Sequence, residues 1–241
     1  MSTRAMEPSE LPSGLIDMVR RSTARLTDTL HALHPSDVGA PSRLPGWSRG
    51  HVLTHLANNA EGLTRLILGS QSGRSLPMYA SVEGRNADIA AGATRPGGVI
   101  VAHADLANST LAAAITSVSD WEASTVFATV TGPTERPMTD VLRMRLREVV
   151  IHHVDVAASH RFDDEDPDVI RELVRDAAGR FSPKSTNAVD LQIDGAAVAT
   201  ITSEVSTESP VVVDLDGGTM LGWLTGRCDS RSDLPELPPW G

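Results

Sequence analysis

The stretch "LREVVIHHVDVAAS", residues 146–159, reads as the end of an apolar helix that carries Glu148, His152, His153 and Asp155 among its valines and isoleucine. Taking an unpartnered imidazole or carboxylate out of water costs several kcal/mol, and a bound cation is the leading way to offset that cost. On a helix Glu148 and His152 lie four apart, separated by roughly 40° of rotation, and so face the same way. Asp155, three residues further, shares that face, while His153 points elsewhere. A carboxylate and a neutral imidazole suit zinc or another borderline divalent metal. Asp155 is placed to take the free ring N–H of His152, as partners of metal-bound histidines do.

Alone, the E-x-x-x-H spacing describes many surface pairs. A second stretch, "HVLTHLANN" at 51–59, puts His51 and His55 four apart, with His55 amid Val52, Leu53 and Leu56. In a helical bundle, facing helices supply inward ligands to a shared core site. His55 with Glu148 and His152 makes three protein ligands, the number that leaves a catalytic zinc with open positions. The competing account of either histidine is a buried ring satisfied by a backbone carbonyl. His51 lies in the first helical turn, nearer solvent, and ranks below His55, although it stays open which of the two coordinates. His103, in "VIVAHADLA", is a remoter candidate, and His31, His34 and His160 near helix ends read as surface residues.

Working outward, apolar positions at 15, 19, 26, 30 and 33 predict a helix over residues 10–34. Three prolines and two glycines break it in "HPSDVGAPSRLPGW". Ser48 reads as the N-cap of a second helix running to about Gly69. A mostly irregular stretch follows, with a short helix near 84–93, then a third long helix within 98–120. Pro133 and Pro137 punctuate the connection to a fourth helix, about 138–159. Four long helices with substantial loops fit a four-helix bundle over residues 1–160. Residues 161–241 change character. A helix at 167–181 precedes alternating segments at 188–195, 197–205 and 210–218, which read as strands, then a short helix at 219–227 and an extended tail. The predicted fold class is therefore α+β, a bundle followed by a smaller α+β domain.

Composition narrows the function. The chain has 241 residues, with acidic residues outnumbering basic ones 31 to 21 for a net charge of −10. Nucleic acid and anionic membranes select for basic surface, so neither is expected as the main partner. Lys184 is the only lysine, which reads as coding bias. The single cysteine, Cys228, excludes an internal disulfide framework and suits a reducing, cytoplasmic setting. No signal-like start and no stretch approaching membrane-spanning length is read in the sequence.

"LPGWSRGHVLTHLANNAEGL" (44–63) and "LREVVIHHVDVA" (146–157) resemble the two signature regions of the mycothiol-dependent maleylpyruvate isomerase family, one of the DinB-like metal-binding four-helix bundles. "GWLTGR" at 222–227 is similar to that family's closing motif, so the resemblance covers nearly the whole chain. It implies His55, Glu148 and His152 as zinc ligands, mycothiol as thiol cofactor, and Arg227 as the C-terminal domain's contribution to the active site. The reaction it implies is the cis–trans conversion of maleylpyruvate to fumarylpyruvate in gentisate breakdown, acting on a small dicarboxylate. Arg227 would clamp a carboxylate of that dianion, with Arg85 in "EGRNADI" as a second candidate for substrate binding. Cys228 reads as a bystander thiol, since a small-molecule thiol supplies the sulfur.

Other readings share parts of this pattern. A related zinc- and mycothiol-dependent transferase would use the same ligands on another electrophile. A non-enzymatic metal sensor would close the metal's coordination shell, and a carrier would show an apolar cavity in residues 185–241. A zinc hydrolase needs a general base near the metal, for which Glu61 and Asp155 are the available residues.

Overall fold

Leu15, Val19, Leu26 and Leu30 recur at helical spacing and form the buried stripe of α1 (Leu11–Ala32). The computed structural model of the chain describes residues 11–122, 124–129, 132–156, 159–206, 208–228 and 233–240. After a 3-10 turn at Pro35–Gly39, Ser48 starts α2 (Arg49–Gln71) through a capping box. Its hydroxyl accepts from the His51 amide, and its own amide donates to His51 Nδ1 at 3.2 Å. His51 thus does what Glu or Gln usually does at this position, tying down the first helical turn. α2 is buried nearly all round, from Val52 to Ile67, and packs on both α4 (Gly97–Thr116) and α5 (Asp140–Val156). α1 in turn lies against α5 and α4, which completes a four-helix bundle.

Between α2 and α4, Ser81 caps the short α3 (Val82–Gly92), accepting from the Gly84 amide at 2.9 Å. The last residue of α3 must be glycine, because a Cβ on Gly92 would collide with the Thr54 side chain of α2. α4 presents Ile100, Ala104, Ala107 and Leu111 inward at helical spacing. By length and composition alone α4 could cross a membrane, which corrects the expectation that no stretch reaches that length. A third of that stretch is buried, Ile100, Ala104, Ala107 and Leu111 among it.

Residues 121–137, read from sequence only as the connection to the fourth helix, contain a hairpin: β1 (Ser124–Thr129) pairs antiparallel with β2 (Gly132–Pro137). Proline demotes a strand because it cannot donate to a ladder. In a two-stranded sheet both strands are edges, and there Pro133 and Pro137 are tolerated. α5 ends at Val156, short of the expected 159, and Ala157 and Ala158 lie outside the described residues, as does Glu10 at the expected start of α1.

The chain divides into two units, Met1–Ser159 and His160–Gly241. In the second, α6 (Pro167–Phe181) buries Val169, Ile170, Leu173, Val174 and Ala177. Strands β3 (Val189–Ile193), β4 (Ala196–Ile201) and β5 (Val211–Leu215) form a sheet in the order β4-β3-β5. β3 pairs antiparallel with β4 across a tight Asp194-Gly195 turn, where φ is positive at both residues, as a type I′ hairpin requires. β3 pairs parallel with β5, and its alternating Val189, Leu191 and Ile193 face the core. α7 (Gly217–Thr225) is capped by the Asp216 carboxylate on the Thr219 amide, and Gly226 closes it in the left-handed conformation at φ 69°. The architecture is a helical bundle followed by a small α+β region.

Candidate metal centre

α2 and α5 carry the central groups. His55 is 4% exposed, and its Nε2 lies 2.7 Å from Glu148 Oε2. His152 Nε2 approaches the same oxygen at 3.5 Å, and the two imidazoles stand perpendicular, their centroids 4.8 Å apart. One donor atom from each of the three residues lies within 4.8 Å of the others. The helical spacing of Glu148 and His152 sets two of these positions, and the packing of α2 on α5 brings the third.

A further ring of contacts orients the imidazoles. His152 Nδ1 meets Asp155 Oδ2 at 2.8 Å, and Asp155 is buried. His55 Nδ1 lies 3.2 Å from Arg85 Nη2 on α3. A guanidinium only donates, so Nδ1 accepts, which places the His55 ring proton on Nε2, donated to Glu148. Trp47 stands edge-on to His55 at 5.9 Å.

The charges follow from this arrangement. Burial lowers the pKa of His55, outweighing the hydrogen bond and charge of Glu148. Burial also acts to lower the pKa of His152, but the carboxylates of Asp155 and Glu148 prevail and raise it. Glu148 would be pushed up by burial, yet hydrogen bonds from His152 and His55 hold it well below the usual carboxylate range. The resting cluster is therefore a neutral His55, an ionised Glu148 and a His152 that favours its protonated form.

The donor set fits a divalent metal. Donors about 2.0–2.2 Å from a tetrahedral ion stand about 3.4 Å from one another. The His152–Glu148 separation of 3.5 Å already matches, and the 2.7 Å His55–Glu148 contact must open slightly. Two imidazoles and one carboxylate, one imidazole backed by a second carboxylate, are the donors that zinc accepts.

Other residues singled out from sequence lie elsewhere. His51 caps α2 and is not one of the three clustered donors. His103 Nε2 meets Glu61 Oε1 at 2.7 Å and its Nδ1 faces Arg95 Nη2 at 3.0 Å, a strut joining α4, α2 and the end of α3. His153 turns toward α1, 2.8 Å from Thr29 Oγ1. His31 is exposed beside Asp105. His160 is not a surface residue as expected: its side chain is only 10% exposed, with Nε2 3.3 Å from Glu165. Arg227 follows α7 in the second unit, its Nη1 donating to the Thr225 carbonyl at 2.6 Å, with Cys228 half-buried beside it.

Two buried residues near the cluster escaped sequence reading. Tyr79, the chain's only tyrosine, lies under the Arg85 guanidinium, 5.6 Å from Cζ to the ring centroid. Burial first, and the Glu148 charge second, raise its pKa. Arg145, three residues before Glu148, is fully buried and donates to Leu56 O and Asn59 Oδ1 of α2. Burial lowers its pKa to about 10, against the pull of Glu148. Its place one helical turn before Glu148 was the available signal.

Residues 19–157 match the family model described as the mycothiol maleylpyruvate isomerase N-terminal domain. A solved structure, the crystal structure of the mycothiol-dependent maleylpyruvate isomerase, is 26% identical with a TM-score of 0.82. The alignment covers 95% of this chain and 97% of that one. A histidine-to-alanine mutant of the mycothiol-dependent maleylpyruvate isomerase matches at 25% identity and a TM-score of 0.80, with the same coverage. No curated protein matches the chain.

Proposed function

The chain belongs to the mycothiol maleylpyruvate isomerase family, and from that premise we propose that it catalyses the mycothiol-dependent isomerisation of maleylpyruvate to fumarylpyruvate. The observation that carries this reading is the convergence of His55, Glu148 and His152 from two helices distant in the chain. A divalent cation held by these three side chains, zinc for this donor set, would supply the Lewis acidity that keeps a thiol deprotonated near neutral pH.

Rotation about a conjugated double bond is slow, so the bond must become single for a time. Mycothiol, when bound, would supply a thiolate that adds to the alkene, moves the electron pair to the conjugated carbonyl as an enolate, lets the new single bond rotate and leaves again as the trans alkene re-forms. The thiol is regenerated, so no oxidant is consumed and no protein cysteine is needed.

The chain's own residues prepare each part of this sequence. Asp155 fixes the His152 ring through Nδ1 and leaves Nε2 directed at the centre. Once His55 gives up Nε2 as a donor, its proton resides on Nδ1, and Arg85 loses its acceptor there. The Arg85 guanidinium is then available to a substrate carboxylate and to the enolate.

The test is the isomerase assay with and without mycothiol on wild type and His55→Ala. Wild type is expected to turn over maleylpyruvate only with the thiol, and His55→Ala to lose both metal and turnover. Thiol-dependent reaction with another electrophile but not with maleylpyruvate would instead identify a transferase.

A further inference from the structure

Between α1 and α4 the bundle opens into a cleft of about 390 Å³, the size range of small-molecule sites. Val19, Leu111 and Ile115 give it apolar walls, and Thr23 and Asn108 add polar groups. Its lining includes Arg145, only 1% exposed. That guanidinium donates from Nη1 to Leu56 O and Asn59 Oδ1, and from Nη2 to Asn108 Oδ1 at 2.5 Å. All three acceptors are neutral. Among the described residues, Nε–H and a second Nη2–H are given no acceptor.

A buried cation whose direct acceptors are all neutral is costly even with Glu148 one turn away, and an anion on its open donors would offset that cost. Glu148, one turn along α5, is already engaged by His55 and His152. We propose that the α1–α4 cleft is a second binding site, separate from the metal centre, for a small monocarboxylate with an apolar body. The carboxylate accepts from Arg145, and the body lies against Val19, Leu111 and Ile115. Arg20 and Asp28 line the cleft with opposite charges, which leaves the Arg145 guanidinium as its one net positive charge.

The test titrates the full-length, zinc-loaded chain with 2-naphthoate and with neutral 2-naphthamide, read by amide chemical shifts. Saturable shifts centred on Thr23, Asn108 and Leu111 are expected, with the amide weaker by about tenfold or more, as loss of a charge-assisted hydrogen bond implies. Ala112→Trp fills the cleft from an exposed position on α4 and is expected to abolish these shifts while leaving zinc content unchanged. The proposal is overturned by shifts confined to the surroundings of His55 and Glu148, by equal affinity for acid and amide, by absence of saturation, or by binding that survives Ala112→Trp.

Discussion

Asp155 shows how much rests on single atoms at the centre. Its carboxylate holds His152 Nδ1 at 2.8 Å and so fixes which nitrogen faces Glu148. Asp155→Ala is expected to weaken zinc binding about 10- to 100-fold with the helices intact, checked by competition with a chromogenic chelator. The pKa shifts set the pH dependence. His152 is raised above 6.5, so its contribution to the stability of the metal-free chain is complete below 6.5 and is lost as pH rises through the folded value. His55 is lowered, so its contribution is in place above 6.5 and is lost as pH falls through its folded value. A metal must displace the His152 proton. Zinc binding should therefore tighten with rising pH and release protons at pH ~6.5, as calorimetry in buffers of different ionisation heat would show. The absence of proton release at that pH would mean that His152 is not protonated beforehand.

At the scale of elements, the short α3 matters beyond its length because it carries Arg85 to His55. Its seat on α2 requires the bare backbone of Gly92 against Thr54. Gly92→Ala is expected to cost about 1–3 kcal/mol, the penalty of forcing a group into a packed contact, and thermal unfolding would measure it. The long helices were legible because burial at helical spacing leaves a repeating signature, and Ser48 marks its helix start chemically. The β1–β2 hairpin was not legible, since its prolines are forbidden only in a sheet interior. For the site, the periodicity of α5 was enough to align Glu148 with His152. Only packing could choose His55 over His51, which the capping box claims. Tyr79 sits in a loop whose course no periodicity reports, and so it was missed.

At the scale of the molecule, a family profile covers the bundle and a solved isomerase aligns over nearly the whole chain, so fold and family are shared. A ligand that binds only the folded state adds stability by mass action, about 2.7 kcal/mol at a hundredfold excess over its dissociation constant. Zinc should therefore raise the unfolding temperature of wild type, a chelator should reverse it, and His55→Ala should show no shift. Anomalous diffraction at the zinc edge, from crystals of the zinc-loaded chain, tests the centre most directly. A single strong peak about 2.0–2.2 Å from His55 Nε2, His152 Nε2 and a Glu148 oxygen is the predicted result. A zinc-loaded crystal with no density among those three side chains, or with the two imidazoles turned apart, would contradict it.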